Sequence, residues 1–182
     1  LGKLVATTYH KITYINKAMG EADIKAVLKG SSSSQISLDE TSSVPNHLAL
    51  ADVLDFISLN SQRHAKTSMK TIMDRFTKAP YGFIEYDVQW IVAKLFKDGD
   101  IAFYVNNDVV SLITKSEDEI YKYITRKEYL EKLITEKREK ANDKQKKIVR
   151  EVMKELFNAM PPSDEDDTML ASFHQFAGKL KS

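Results

Sequence analysis

The stretch that most constrains this chain runs from Thr67 to Ile113, where a proline–glycine corner joins two helical patterns and a strand pattern follows. Met69, Ile72, Met73 and Phe76 recur at helical spacing, with Thr67 placed to cap the helix. Ala79-Pro80-Tyr81-Gly82 ends that helix. A residue before proline is pushed out of the α region, and glycine permits turns that other residues resist. Ile84, Val88, Ile91, Val92, Leu95 and Phe96 give the next helix one broad apolar face, and Gly99 stands where a glycine closes a helix. Ile101, Phe103 and Val105 then alternate with Ala102 and Tyr104, Asn106-Asn107-Asp108 tolerates a tight turn, and Val109, Val110, Leu112 and Ile113 return. Two helices feeding a hairpin form the second half of a winged helix. The fold expected is therefore mostly α: a winged-helix-like unit with a β-hairpin wing, plus a C-terminal helical extension.

The flanking sequence divides around that unit. Leu4, Val5, Thr8, Tyr9, Ile12 and Ile15 mark an opening amphipathic helix, and Glu21 to Leu28 a second one closed by Gly30. Ser31 to Ser43, rich in serine and poor in apolar residues, reads as a mobile loop. Asn46 is placed to cap a helix whose core face is Leu48, Leu50, Val53, Leu54 and Ile57. Beyond the hairpin the pattern is helical. Ser116-Glu117-Asp118-Glu119 starts one helix, and Thr125-Arg126-Lys127-Glu128 matches a capping box for another carrying Tyr129, Leu130, Leu133 and Ile134. Ile148 to Phe157 gives a further helix up to Pro161-Pro162, and Thr168 to Leu180 the last. The divisions expected are 1–43 (N-terminal helices and Ser-rich loop), 44–115 (the core, with 1–30 able to join it) and 116–182 (the extension). A start at Leu1 rather than Met reads either as the trace of a removed tag or as a piece of a longer protein.

Composition excludes more than it assigns. The 182 residues carry a net charge of +1, so any nucleic-acid surface must be local. There is no cysteine, hence no disulfide or thiolate chemistry, which fits a cytoplasmic setting. No run approaches the length of a membrane span. Six scattered glycines form no phosphate loop, and His10, His47, His64 and His174 lie far apart in sequence with no metal-ligand spacing. Asp98 and Asp100 flank Gly99, but turn chemistry explains them as well as acid–base work does. No catalytic residue, metal or cofactor is expected in this chain.

Lys137, Arg138, Lys140, Lys144, Lys146, Lys147 and Arg150 set seven cations against two acids on the expected helix, a local patch able to meet phosphates of double-stranded DNA. A solvated helix face explains the same cluster more simply, because no aromatic residues interleave to stack bases. The helix from Ile84 holds the recognition position, yet its start carries Glu85 and Asp87, where base-reading helices present contact residues. Two carboxylates there oppose a phosphate-lined groove, and exposed Gln89, Lys94 and Lys97 compensate only in part. Tyr81 and Trp90 are the candidate interaction residues, although a buried indole at Trp90 would make it core.

Lys78-Ala79-Pro80-Tyr81-Gly82-Phe83, Asp87-Val88-Gln89-Trp90 and the run from Ala93 to Phe103 resemble an internal region of BrxC, the large P-loop ATPase of BREX bacteriophage-defence systems, and its relative PglY. Thr125-Arg126-Lys127-Glu128, the run from Lys140 to Lys147 and that from Val149 to Phe157 continue the likeness, which covers about Leu48 to Lys181. The resemblance implies a non-ATPase segment of a longer antiviral-defence protein. The family's nucleotide-binding motif has no counterpart here, so ATP binding is assigned to no residue. Implied partners are the other domains of that ATPase, other BREX components and DNA.

Overall fold

The structure is a computed structural model and describes residues 7–30, 44–138, 147–148, 150–152 and 154–155. Leu4 and Val5, the loop from Ser31 to Ser43 and the final helix from Thr168 lie outside the described residues. The chain divides into two units, Leu1–Arg138 and Glu139–Ser182. The described residues of the second unit are helical, with Ile148 exposed.

The first unit comprises α1 (Glu21–Lys29), α2 (His47–Gln62), β1 (Thr67–Ser68), α3 (Met69–Phe76), α4 (Glu85–Lys97), β2 (Ile101–Val105), β3 (Asp108–Val110), α5 (Glu117–Thr125) and β4 (Leu133–Lys137). Helix α4 lies at its centre and packs against α1, α2, α3, α5 and β2. Its sequence is apolar well beyond one stripe, and a helix apolar on every side is a buried helix. Asp87 to Ala93, Leu95 and Phe96 are all buried. The exit from α4 is closed by Gly99 at φ 74°. Its N–H donates to the Phe96 carbonyl at 3.1 Å and that of Asp100 to Leu95 at 2.9 Å, the paired bonds of a Schellman stop. This turn aims β2 back across the helices, and Phe96 stacks on Phe103 with centroids 4.0 Å apart.

The hairpin turns on Asn106 and Asn107, both at positive φ (54° and 69°), the geometry whose twist matches that of the flanking strands. The returning strand is short. It ends at Val110, and Leu112 and Ile113 belong to a turn rather than to the strand expected of them. The antiparallel sheet has the order β1-β4-β2-β3. One row across it, Thr67, Thr135, Phe103 and Val110, faces the core; the next, Ser68, Ile134, Tyr104 and Val109, faces away.

Strand β4 is the main departure from the sequence reading. The segment expected to be helical after Thr125 is a 3-10 turn (Lys127–Tyr129) and then the strand between β1 and β2. Thr125 caps nothing downstream: its hydroxyl donates back to the Tyr121 carbonyl at 2.8 Å, and Arg126 is extended. Leu133 and Thr135 point inward, and the Thr135 hydroxyl donates to the Thr67 carbonyl at 3.0 Å. Because α5 packs on α1 and α4 while β4 completes the sheet, the first unit runs through to Arg138 and crosses the expected break after 115.

Smaller differences have local causes. Thr67 is taken up by β1, so Ser68 caps α3, its Oγ accepting from the Thr71 N–H at 3.2 Å. Ile84 is the extended residue that precedes α4 and is exposed. Leu48 is exposed as well, and α2 buries Ala49, Val53 and Ile57. The opening helix breaks at residue 9 into a turn and a short 3-10 segment, Ile12–Tyr14.

Asn46 does not cap α2 but locks it to the N-terminal segment. It is buried at φ 58°, and its Oδ1 accepts from the Asn16 and Lys17 amides, both at 2.9 Å. Its Nδ2 donates to the Lys17 carbonyl at 2.8 Å, and its own N–H donates to Asn16 Oδ1 at 2.9 Å. Asn46→Ala would leave three backbone groups unpaired and put a Cβ-only residue in left-handed conformation. We expect a loss of roughly 2–4 kcal/mol in chemical denaturation, with Asn46→Gly losing less because the backbone strain is absent.

Candidate interaction surface

The feature that decides what the winged-helix unit can do is the state of the helix in the recognition position. Its first two residues, Glu85 and Tyr86, are exposed, and the next seven are buried. Asp87, expected to face phosphates, is folded inward: its Oδ1 accepts from the Met19 N–H at 2.8 Å. Burial raises its pKa above the ordinary aspartate value, and bonds from the Met19 and Ile84 amides offset that only in part. Gln89, expected to be exposed, is buried, and its Oε1 has no hydrogen-bond partner among the described residues. Lys94 is half-buried and paired with Asp98 at 2.7 Å, which gives Asp98 a helix-end role in place of acid–base work.

Reading a groove with α4 requires α1 or α5 to leave it. Each large apolar side chain so exposed costs about 1.5–3 kcal/mol, and a whole domain holds only ~5–15 kcal/mol of stability.

Tyr81 and Trp90 are interior residues, 4% and 5% exposed. Tyr81 joins an aromatic cluster with Phe76 and Phe83, at centroid distances of 4.5 and 5.3 Å. Its hydroxyl donates to Asp52 at 2.9 Å, and Asp52 also pairs with Lys11, whose ammonium is held charged above its ordinary pKa chiefly by that bond. The Arg75 guanidinium covers this cluster from outside, 4.8 Å from the Phe56 ring. Neither Tyr81 nor Trp90 presents a ring to a partner.

The basic residues do not share one helix. Lys137 ends β4, its N–H donating to Ser61 Oγ at 2.8 Å, and the Arg138 N–H donates to the Asp100 carbonyl at 3.0 Å. Lys147 is exposed and Arg150 half-exposed in the helical part of the second unit, while Lys140, Lys144 and Lys146 lie outside the described residues. What the first unit offers to solvent is apolar at several points: Ile84 and Tyr86 at the start of α4, and Val109 and Ile113 on the hairpin. Among the described residues no cluster of His, Asp or Glu side chains is placed to hold a metal ion, and no helix is long and apolar enough to cross a membrane.

Residues 11–139 match the family model of the BREX ATP-binding protein BrxC winged helix-turn-helix domain. The chain belongs to the BrxC family. The matched span closes almost where the first unit does, so the BrxC domain includes β4 as well as the hairpin. No solved structure matches the chain. Sequence reasoning reached the BrxC likeness from the Pro80 corner and the Trp90 helix. It missed that this helix is encased, although Trp90 and Ala93 beside the main apolar face carried that signal.

Asp87 supplies a test of the encasement. Its folded pKa is raised, so the folded state holds the proton more tightly than the unfolded chain does. That stabilising contribution is complete below the unfolded pKa and disappears as pH rises through the folded value. As pH falls from above the folded pKa towards the unfolded one, the wild type should therefore gain stability relative to Asp87→Asn, read as a narrowing or reversal of the difference in urea midpoint. Equal pH dependence of the two proteins would mean a solvated Asp87.

Proposed function

We propose that this chain is a non-catalytic winged-helix and helical module of a BREX bacteriophage-defence ATPase of the BrxC family, working in the cytoplasm. It serves assembly of the defence complex or couples that complex to DNA. Its partners are the other domains of the parent ATPase and other BREX components. The single observation that carries this reading is the burial of α4 from Asp87 to Ala93, which removes the element a winged helix would insert into the major groove. The exposed Ile84, Tyr86, Val109 and Ile113 support protein contact as the alternative use of the domain's surface.

A second reading has the Lys137–Arg150 segment bind duplex DNA without regard to sequence. It is favoured by Lys147 and Arg150, three residues apart on a helical segment and at least partly solvent-accessible. Fluorescence anisotropy with duplex DNA separates the two. The module reading expects no binding at moderate salt, and no ATP hydrolysis above background by the purified chain. Binding that falls steeply with salt, and is abolished when Lys144, Lys146, Lys147 and Arg150 become Glu with the fold intact, would instead establish the second.

A further inference from the structure

Helix α2 has the composition of an interior helix: from Leu48 to Leu59 only Asp52, Asp55 and Ser58 are polar. A helix apolar on every side is a buried helix. The first unit packs α2 against β4, α4, β1 and the 3-10 segment Ile12–Tyr14, burying Ala49, Val53 and Ile57. The opposite face is left to solvent. Leu48 is 46% exposed and Leu59 50%, and Ala51, Asp55 and Gln62 are exposed as well. Leu48, Asp55 and Leu59, seven and then four residues apart, fall on one line along the helix, about 16 Å from end to end. Single exposed leucines are ordinary, whereas two aligned on a helix of this composition mark a face that lacks its cover.

The charges on and beside this stripe decide what fits it. Asp52, on its flank, is taken up by Lys11 and the Tyr81 hydroxyl, and Arg75 lies over the Phe56 ring. Arg63 follows the last turn of α2. Among the described residues no ion pair engages Asp55 or Arg63. The stripe therefore carries an uncompensated carboxylate between two leucines, and a guanidinium beyond its C-terminal end. A second copy of this chain meets that pattern badly. Antiparallel pairing of Leu48 with the copy's Leu59 brings Asp55 against the copy's Asp52, and parallel pairing brings it against the copy's Asp55. Like charges facing each other across an interface oppose association.

We propose that the outward face of α2 docks an amphipathic helix of a different protein or domain, one that sets a lysine or arginine opposite Asp55 between apolar residues that cover Leu48 and Leu59. Apolar residues spaced along one helix face are what a helix-on-helix contact uses for anchorage. The cation supplies what a copy of this chain lacks, and its long stem lies along the leucines while its head reaches the carboxylate. The assignment rests on the protein-contact reading above and deepens it, naming the surface and the chemistry of the partner.

The test passes the full chain over the immobilised remainder of the parent ATPase and over each purified BREX component in turn, with binding read by biolayer interferometry. Leu59→Ser and Asp55→Lys, both at exposed positions, should keep the melting temperature and each weaken the binding about tenfold or more. Wild-type binding should weaken as salt rises, and Asp55→Asn should lose most of that dependence. Binding indifferent to the three α2 variants but reduced by Ile113→Ser would put the partner on the hairpin, overturning the assignment and leaving the protein-contact reading in place. Self-association of the chain in sedimentation equilibrium, abolished by Leu59→Ser, would make a second copy the occupant and overturn it as well. A chain that binds none of these proteins removes both.

Discussion

The enclosure of α4 governs the rest of the structure. A thirteen-residue helix that is buried from Asp87 to Ala93 must be covered on several sides at once, and no single neighbour is wide enough to do that. Helices α1 and α5, which lie far apart in sequence on either side of the winged-helix elements, supply the missing cover and touch each other. The helix in the recognition position is thereby the inner layer of the first unit. Asp87 shows how fully: a carboxylate at a helix start, ordinarily a solvated and dipole-stabilising feature, is here spent on the Met19 amide that leads into α1.

The sheet carries the same consequence. Strand β4 stands between β1 and β2, so the strand that follows β2 in sequence is left at the edge with three residues. The hairpin is short and ends in a pair of asparagines with no cation, a poor shape for a wing that grips phosphate. Its exposed apolar residues, Val109 and the nearby Ile113, suit contact with protein better. Family membership and geometry therefore support different parts of the conclusion. The match to BrxC gives the biological setting, and the burial of α4 argues against the use to which winged helices are most often put.

Where polar groups are buried, most are employed in joining segments. Asn46 ties the start of α2 to residues 16 and 17, and the half-buried Asp52 gathers Lys11 and Tyr81. The Thr135 hydroxyl ties β4 to β1. Thr67 Oγ1 and Gln89 Oε1 are the contrast, buried polar atoms with no hydrogen-bond partner among the described residues.

Much of the scaffold was already written in local sequence. Met69, Ile72, Met73 and Phe76 specified α3, Gly99 specified the end of α4, and Asn106-Asn107 specified the hairpin turn, because each depends on conformational preferences that act within one turn of chain. Strand β4 was beyond such reasoning. Leu133, Ile134 and Thr135 fit a helix as readily as a strand, and only pairing with Ile101–Val105, some thirty residues earlier, decides between them. The same holds for Asp87, Gln89 and Trp90: their residue types are compatible with an exposed recognition helix. Tertiary packing alone put them inside, since coverage by α1 and α5 is a property of the assembled chain and leaves no periodicity in the helix it covers.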